Sequence, residues 1–473
     1  MVLVAIAMVA IIGMAALSID LVALYLAREE AQRSADAAAL AAARVISISG
    51  MTGDPDNSTL YRNRICGGFI SAATQAAIAV ANQNSVGNNA ADVVNVTYSA
   101  GGSTSSDCSG LPAAFGVNPM VTVEISRAGL PTFFSRIWGS TGNTVSATAT
   151  AETFNPSNSG NVGNGPTGTI TPVQPLCVKP WMVPNRDPLN PGLTCDQGGG
   201  ACQTFVSTAD GSITNKGISL NGTNSSGVIG ERFWLSPDCG HEFATCILRT
   251  PSPVGNYYAV ISQPYLEPPP SLQYVPAEAP VSVPVAVPSC ASSGSLYEEA
   301  IEGCDQSTVY QCGVQASSSL NPNRVDLIEN PGAFTNDTMN GVSCLINEAN
   351  PTGSQPDGQD TMLLSSFPFQ ILAGSSSLLG ALAGSPGKPI SSSNSIVSLP
   401  IYDDSTTTIN PSGTTNVTIV GFLQVFINSV DQWGNVDVTV LNVAGCSNGT
   451  GPGAVGTAIP GSSPVPVRLI TPP

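Results

Sequence analysis

The sequence predicts an α+β protein: a long N-terminal hydrophobic α-helix, then a small α+β domain, then a larger β-rich domain stapled by disulfides. Three observations carry this. The chain opens with an apolar run that has no charge before Asp20 and no basic residue before Arg28. A Gly/Ser/Asn-rich stretch at 156–172 divides the remainder. Its 12 cysteines fall unevenly, with Cys66 and Cys108 before that stretch and the others after it.

The opening run is long enough to cross a hydrocarbon core of ~30 Å as a helix rising ~1.5 Å per residue. The helical signal continues past it. Residues 28–47, REEAQRSADAAALAAARVIS, contain neither Gly nor Pro, are rich in strong helix formers, and set Glu29 and Arg33 at i,i+4. Gly50 then supplies a C-terminal stop. The expectation is a single helix over 1–49, roughly 70 Å long, apolar in its first half and wetted in its second.

Two features of this helix point to assembly. Ala23, Ala27, Ala31, Ala35, Ala39 and Ala43 repeat every four residues. Such an i±4 ridge has almost no side-chain bulk and admits another backbone at close range, although alanine also simply favours helix. Asp20 has only Ala16, Leu17, Ala23 and Leu24 at i±3 and i±4. A carboxylate there needs either the headgroup boundary or a cation from another chain, such as an α-amino group or Arg28. No basic segment precedes the apolar run and no small-residue cleavage site follows it, so a cleaved signal peptide is not expected.

Composition bounds the rest. Only 10% of the 473 residues are charged, with 48 Gly and 38 Pro, as in loop-rich extracellular proteins. The 42% hydrophobic content is enough for packed cores. A net charge of −17 argues against nucleic acid as a partner. The even cysteine count fits an oxidising compartment. Cys66 and Cys108 would pair with each other if their region folds independently. Cys177, Cys195, Cys202, Cys239, Cys246, Cys290, Cys304, Cys312, Cys344 and Cys446 would form up to five further bridges of open connectivity.

In the small domain, 50–155, residues 51–64 read as a loop and 69–84 as a second helix. Residues 91–100, 120–129 and 144–154 read as strands, and 130–139 as a short apolar helix or turn. The linker spans 156–172. In the β-rich domain, 173–446, the stretch around Pro175–Asn185 reads as irregular and disulfide-pinned, whereas 226–236, 256–266 and 393–404 read as strands. Residues 267–290 are proline-spaced, which predicts an extended arm or an edge rather than a central strand. Residues 295–306 and 341–349 read as short helices. The strongest signal is a hairpin: 415–430, nearly all apolar, a turn at 431–435, then 436–446. The Gly/Pro-rich tail, 447–473, would fray alone or lie on a neighbour's sheet edge.

Catalytic signals are missing. The single histidine, His241, stands among Cys239, Glu242 and Cys246 at a spacing that matches no standard zinc finger. One histidine also removes most His-based triads. No cofactor is expected. The acidic pairs Asp54/Asp56 and Asp403/Asp404 are where calcium would find oxygen ligands, against the plainer reading of solvated loop carboxylates. Glycosylation sequons occur at Asn57, Asn95, Asn221, Asn224, Asn336, Asn416 and Asn448.

The segment SIDLVALYLAREEAQRSADAAALAAA, with Asp20, Tyr25, Gln32 and the Ala35–Ala43 block, resembles the N-terminal region of TadE/TadG-like proteins of Flp-type tight-adherence pilus systems. LPTFFSRIWG and TVSATATAE resemble that family's first extracytoplasmic region, and PLCVKPW and TIVGFLQVF resemble longer TadG-related chains. The von Willebrand-type domain many such chains carry is not implied, because the nearest match to its metal motif, Asp210, Ser212 and Thr214, follows polar sequence. Nor is ordinary pilin equivalence, since Ala5 stands where pilins carry Glu. The resemblance implies a bacterial cell-surface protein that passes through the inner membrane. Two expectations follow. One is a structural subunit of an extracellular filament, a homopolymer whose N-terminal helices bundle as its core with the β-rich domains outside. The other is a TadG-like accessory protein of pilus assembly, or an adhesin, that stays anchored in the inner membrane. An enzyme is not expected.

Overall fold

A computed structural model describes residues 2–49, 51, 59–91, 93–100, 102–112, 115, 119–130 and 142–153 of the first third. Beyond these it describes 172–175, 177–189, 203–208, 213–215, 217–220, 222, 227–237, 271–276, 295–303, 310–311, 324–326 and 334–348. The last stretches are 358–365, 369–377, 386–390, 393–404, 414–432, 434–445, 459–461 and 467–470. The chain forms two compact units, one of Met1–Ile46, Ser58–Thr153 and Val467–Pro473, the other of Ser47–Asn57 and Phe154–Pro466.

The first unit is built on helix α1, Val2–Ile48. Short helix α2, Thr59–Cys66, and helix α3, Ala72–Gln83, follow. The segment containing α2 reads as a loop from its polar composition. It is helical here because its contacts hold it: Arg62 donates to the Leu111 carbonyl at 2.7 Å and stacks 5.9 Å above the Phe115 ring. The Cys66–Cys108 disulfide then pins its last residue. Strands β1 (Val93–Ala100), β2 (Ser103–Ser105), β3 (Met120–Leu130) and β4 (Asn143–Thr153) form an antiparallel sheet in the order β4-β3-β1-β2. Alternation in β3 and β4 buries Val121, Val123, Ile125, Val145, Ala147, Ala149 and Ala151. A fifth strand, Val467–Ile470, closes the β4 edge antiparallel, with Val467 opposite Thr153 and Ile470 opposite Thr150. Composition alone places these residues in a frayed tail or on a neighbour. Here the sheet edge they cover belongs to their own chain.

The second unit centres on a closed six-stranded barrel. Ile396–Tyr402 pairs antiparallel with Ile419–Val430, which pairs antiparallel with Val436–Gly445 as the predicted hairpin. Arg232–Pro237 continues antiparallel, Ser271–Pro276 lies parallel to it, and Trp181–Pro184 closes the ring back onto Ile396–Tyr402. Two of these strands depart from expectation. Residues 267–290 read as an arm or an edge, yet Ser271–Pro276 has a neighbour on each side. The pairing is divided: 271–274 face Arg232–Pro237 while 275–276 face Trp181–Pro184. Prolines therefore sit at the ends of a proline-free run and the ladder is not interrupted within it. Trp181–Pro184, read as irregular, is likewise a barrel strand.

Residues of Val436–Gly445 are buried throughout, so along this strand the barrel is covered outside as well as filled inside. A small sheet of Thr361–Leu363, Gln370–Leu372 and Pro389–Ile390 forms part of that cover. Its Met362, Phe369 and Ile390 pack on Ile396, Phe426 and Leu441. Helix Leu296–Glu302 is capped at both ends. Ser295 accepts from the Glu298 N–H at 3.1 Å, and the buried Lys179 ammonium donates to the Ile301 and Gly303 carbonyls at 2.7 and 2.5 Å. Trp181 Nε1 donates to the Tyr297 hydroxyl at 2.8 Å, and Thr338 Oγ1 lies 3.3 Å from that hydroxyl and 3.1 Å from the Tyr274 hydroxyl. This buried network joins two barrel strands to two helices.

Helix Phe334–Ile346 ends at Asn347, whose φ of 59° is the left-handed conformation of a helix stop. The next residue, Glu348, is 8% exposed and accepts from the Val430 N–H at 3.2 Å, and burial raises its carboxyl to about 7. The unfolded chain, with the ordinary carboxylate affinity, holds this proton less tightly. Burial of Glu348 is therefore free of cost below about pH 4.5, and the cost is complete above about pH 7. Glu348→Gln keeps an acceptor for Val430 and is expected to stabilise the barrel by about 3 kcal/mol at pH 8 and by nothing at pH 4. Thermal unfolding at the two pH values checks this; an equal shift at both would refute it.

Candidate membrane and assembly helix

Helix α1 changes character along its length. Val4, Met8, Ile11, Ile12, Met14, Leu17, Ile19, Leu21, Val22, Tyr25 and Leu26 are all more than half exposed. From Ala27 onward the helix is embedded in its own unit: Ala27, Ala31, Ala35, Ala38, Ala39, Ala42, Ala43 and Ile46 are buried, as is Ser34. Hydrogen bonds locate the covering elements. Gln32 Nε2 donates to the Thr148 carbonyl at 3.2 Å and Thr153 Oγ1 donates to the Ala43 carbonyl at 3.1 Å. From 32 to 43 a helix rises about 16 Å, and from 148 to 153 a strand advances about the same. Strand β4 therefore runs alongside the helix. Helix α3 covers a neighbouring face, with Ser34 Oγ 3.4 Å from the Ala81 carbonyl and Glu30 accepting the Gly87 N–H at 2.8 Å.

The alanine ridge is thus a packing seam, and the backbones it admits are β4 and α3 of the same chain. Both bring small residues to it: Ala147, Ala149 and Ala151 from β4, and Ala73, Ala77 and Ala81 from α3, all buried. Of the predicted ridge, Ala31, Ala35, Ala39 and Ala43 have no exposed surface, Ala27 is buried and Ala23 is partly exposed. Asp20 is 5% exposed, on one stripe with the buried Ala16 and Ala27. It also has a partner within the chain. Arg28 is exposed, and Glu29 and Arg33 form the expected i,i+4 pair at 3.6 Å on the surface.

The other predicted residues fall as follows. Cys66 and Cys108 are bonded to each other. Cys177 and Cys344 are each in a disulfide. Cys195, Cys202, Cys239, Cys246, Cys290, Cys304, Cys312 and Cys446 lie outside the described residues, with His241, Glu242, Asp54 and Asp56. Asp403 and Asp404 are buried rather than solvated, and Asp404 accepts from Arg186 Nε at 2.7 Å. Among the described residues no group of three or more His, Cys, Asp or Glu is placed to hold a metal. Of the sequons, Asn95 and Asn336 are exposed and Asn416 is partly exposed. The Thr338 hydroxyl of the Asn336 sequon is buried in the aromatic network. Asn57, Asn221, Asn224 and Asn448 lie outside the described residues.

Sequence reasoning missed the buried carboxylates. Glu231 and Asp187 are fully buried, and Asp437 is held by Arg232, whose Nε lies 3.0 Å from both its oxygens. Single acidic residues, whether within strands or between them, give no pattern from which burial follows.

The chain thus carries one N-terminal helix long and apolar enough to cross a membrane, joined to a folded α+β unit. Residues 1–45 match the family described as putative Flp pilus-assembly TadE/G-like. That match coincides with the exposed apolar segment and the alanine seam. No curated protein and no solved structure matches the chain.

Proposed function

We propose that the chain is a non-enzymatic, membrane-anchored component of a Flp-type pilus system, with Val2–Leu26 in the bilayer and both folded units on the outer side. The observation that carries this is the division of α1. Its exposed apolar side chains surround the first half except along the buried stripe of Ala16, Asp20 and Ala27, as a lipid contact on the remaining faces requires, while the alanine seam and Asp20 are engaged within the chain. The two features that favoured bundling with other copies are therefore already used, which weighs towards the anchored accessory role.

The filament reading keeps one support. The exposed half of α1 would be shielded equally well by copies of itself. Shearing native cells without detergent separates the two. The anchored protein is expected to remain with the membrane pellet and to disperse in detergent as single particles. Regular fibres in the sheared fraction that contain this chain would overturn the anchored reading and establish the filament.

A further inference from the structure

We infer that, granted the anchored reading of α1 on which this rests, the end of the first unit's sheet that carries Leu130 and Asn143 is seated in the outer leaflet beside the helix, with lipid as its partner.

Burial along α1 gives the first indication. Leu17, Ile19, Leu21, Val22, Tyr25 and Leu26 are more than half exposed, whereas Ala16, Asp20 and Ala27, from the same stretch, are buried. With roughly 3.6 residues per turn, these three lie on one line with Ala31, Ser34 and Ala38, which are buried in the seam. The folded chain therefore covers one face of α1 at the height where the other faces meet lipid.

The sheet has the reach to do this. Strand β4 is level with Gln32 at Thr148 and with Ala43 at Thr153. From Thr148 back to Asn143 it descends about 16 Å, which along the helix leads from Gln32 to about the level of Leu21. Leu130 pairs with Asn143, so β3 reaches equally far, and β1 starts near that end, with Val93 opposite Ser126. Arg28 and Glu29, the first charges after Asp20, mark the water boundary. The sheet thus ends about 10 Å inside that boundary, the depth of an interfacial element.

Composition agrees with this depth. Residues 128–130 and 142–147 carry no charge. Ala128, Gly129, Thr144 and Ser146 are exposed there, and Val93 is 54% exposed. Arg127, opposite Val145, stands about level with Tyr25, where its apolar stem carries the guanidinium up to the phosphates. A carboxylate bare to lipid at this depth is costly. Asp20 is buried and partnered within its own chain, so its shelter descends with the folded unit and needs no second copy.

The test uses the full chain in phosphatidylcholine vesicles whose acyl chains carry a nitroxide quencher. A bimane label is attached through Val22→Cys, Thr144→Cys or Thr104→Cys, all exposed positions. Thr104 lies opposite Ser99, which pairs with Met120, at the far end of the sheet. Quenching is expected at Val22 and, to about half that extent, at Thr144, with none at Thr104. Quenching at Val22 with Thr144 as unaffected as Thr104 would overturn the seating of the sheet and leave the anchor in place. Absence of quenching at Val22 would remove the anchor, and this inference with it.

Discussion

Trp181→Ala is expected to lower the stability of the barrel by about 4 kcal/mol. Trp181 is fully buried, with its ring 5.4 Å from that of Tyr274 and its indole N–H bonded to the Tyr297 hydroxyl. Truncation removes the largest buried side chain of the barrel and its share of a network that also involves Thr338. The cavity lies between strands closed into a ring, which cannot collapse onto it without breaking pairing. Trp181→Phe restores most of the volume but not the donor. Because the Tyr297 hydroxyl retains Thr338, that variant should lose only about 1–2 kcal/mol. Hydrogen exchange of barrel amides in the full chain reads both losses within the unit concerned. A loss below 1 kcal/mol for Trp181→Ala would show that the network does not hold the ring together.

The double variant Cys66→Ser/Cys108→Ser is expected to cost the smaller unit about 4 kcal/mol, from the chain entropy of opening a loop whose ends are 42 residues apart in sequence. That loop contains α3, β1 and β2, which means that the bridge restricts one of the two elements that pack beside the seam of α1. The effect should be local: protection falls in α2, whose polar sequence does not sustain a helix of eight residues unaided, and the barrel amides are unmoved. Equal protection of α2 in variant and wild type would assign its order to Arg62 and its carbonyl partners instead.

Much of this architecture is legible in the sequence where the signal is long. An uncharged run followed by alanine-rich helix former has one reading, and so do the apolar strands of the hairpin from 419 to 445. What eludes a linear reading is the identity of partners. The spacing of Ala31, Ala35, Ala39 and Ala43 announces a close approach but not whose backbone makes it. Tertiary pairing likewise decides Ser271–Pro276 and Trp181–Pro184, which are short and flanked by proline, and Val467–Ile470, where four residues follow a Gly/Pro-rich stretch. The carboxylates of Asp187 and Glu231 have no sequence pattern at all, because their burial results from strands distant in the chain ending side by side.

The position of Val467–Ile470 also orders events in time. The chain emerges from its N-terminus, and β4 is complete more than three hundred residues before its edge partner exists. Throughout that interval the small unit presents an open strand edge, of the kind that recruits stray β-segments. Covering it requires the barrel sequence to have been synthesised first. The last strand therefore acts as a checkpoint on completeness: a chain cut short anywhere in the larger unit leaves β4 bare, open to aggregation or proteolysis.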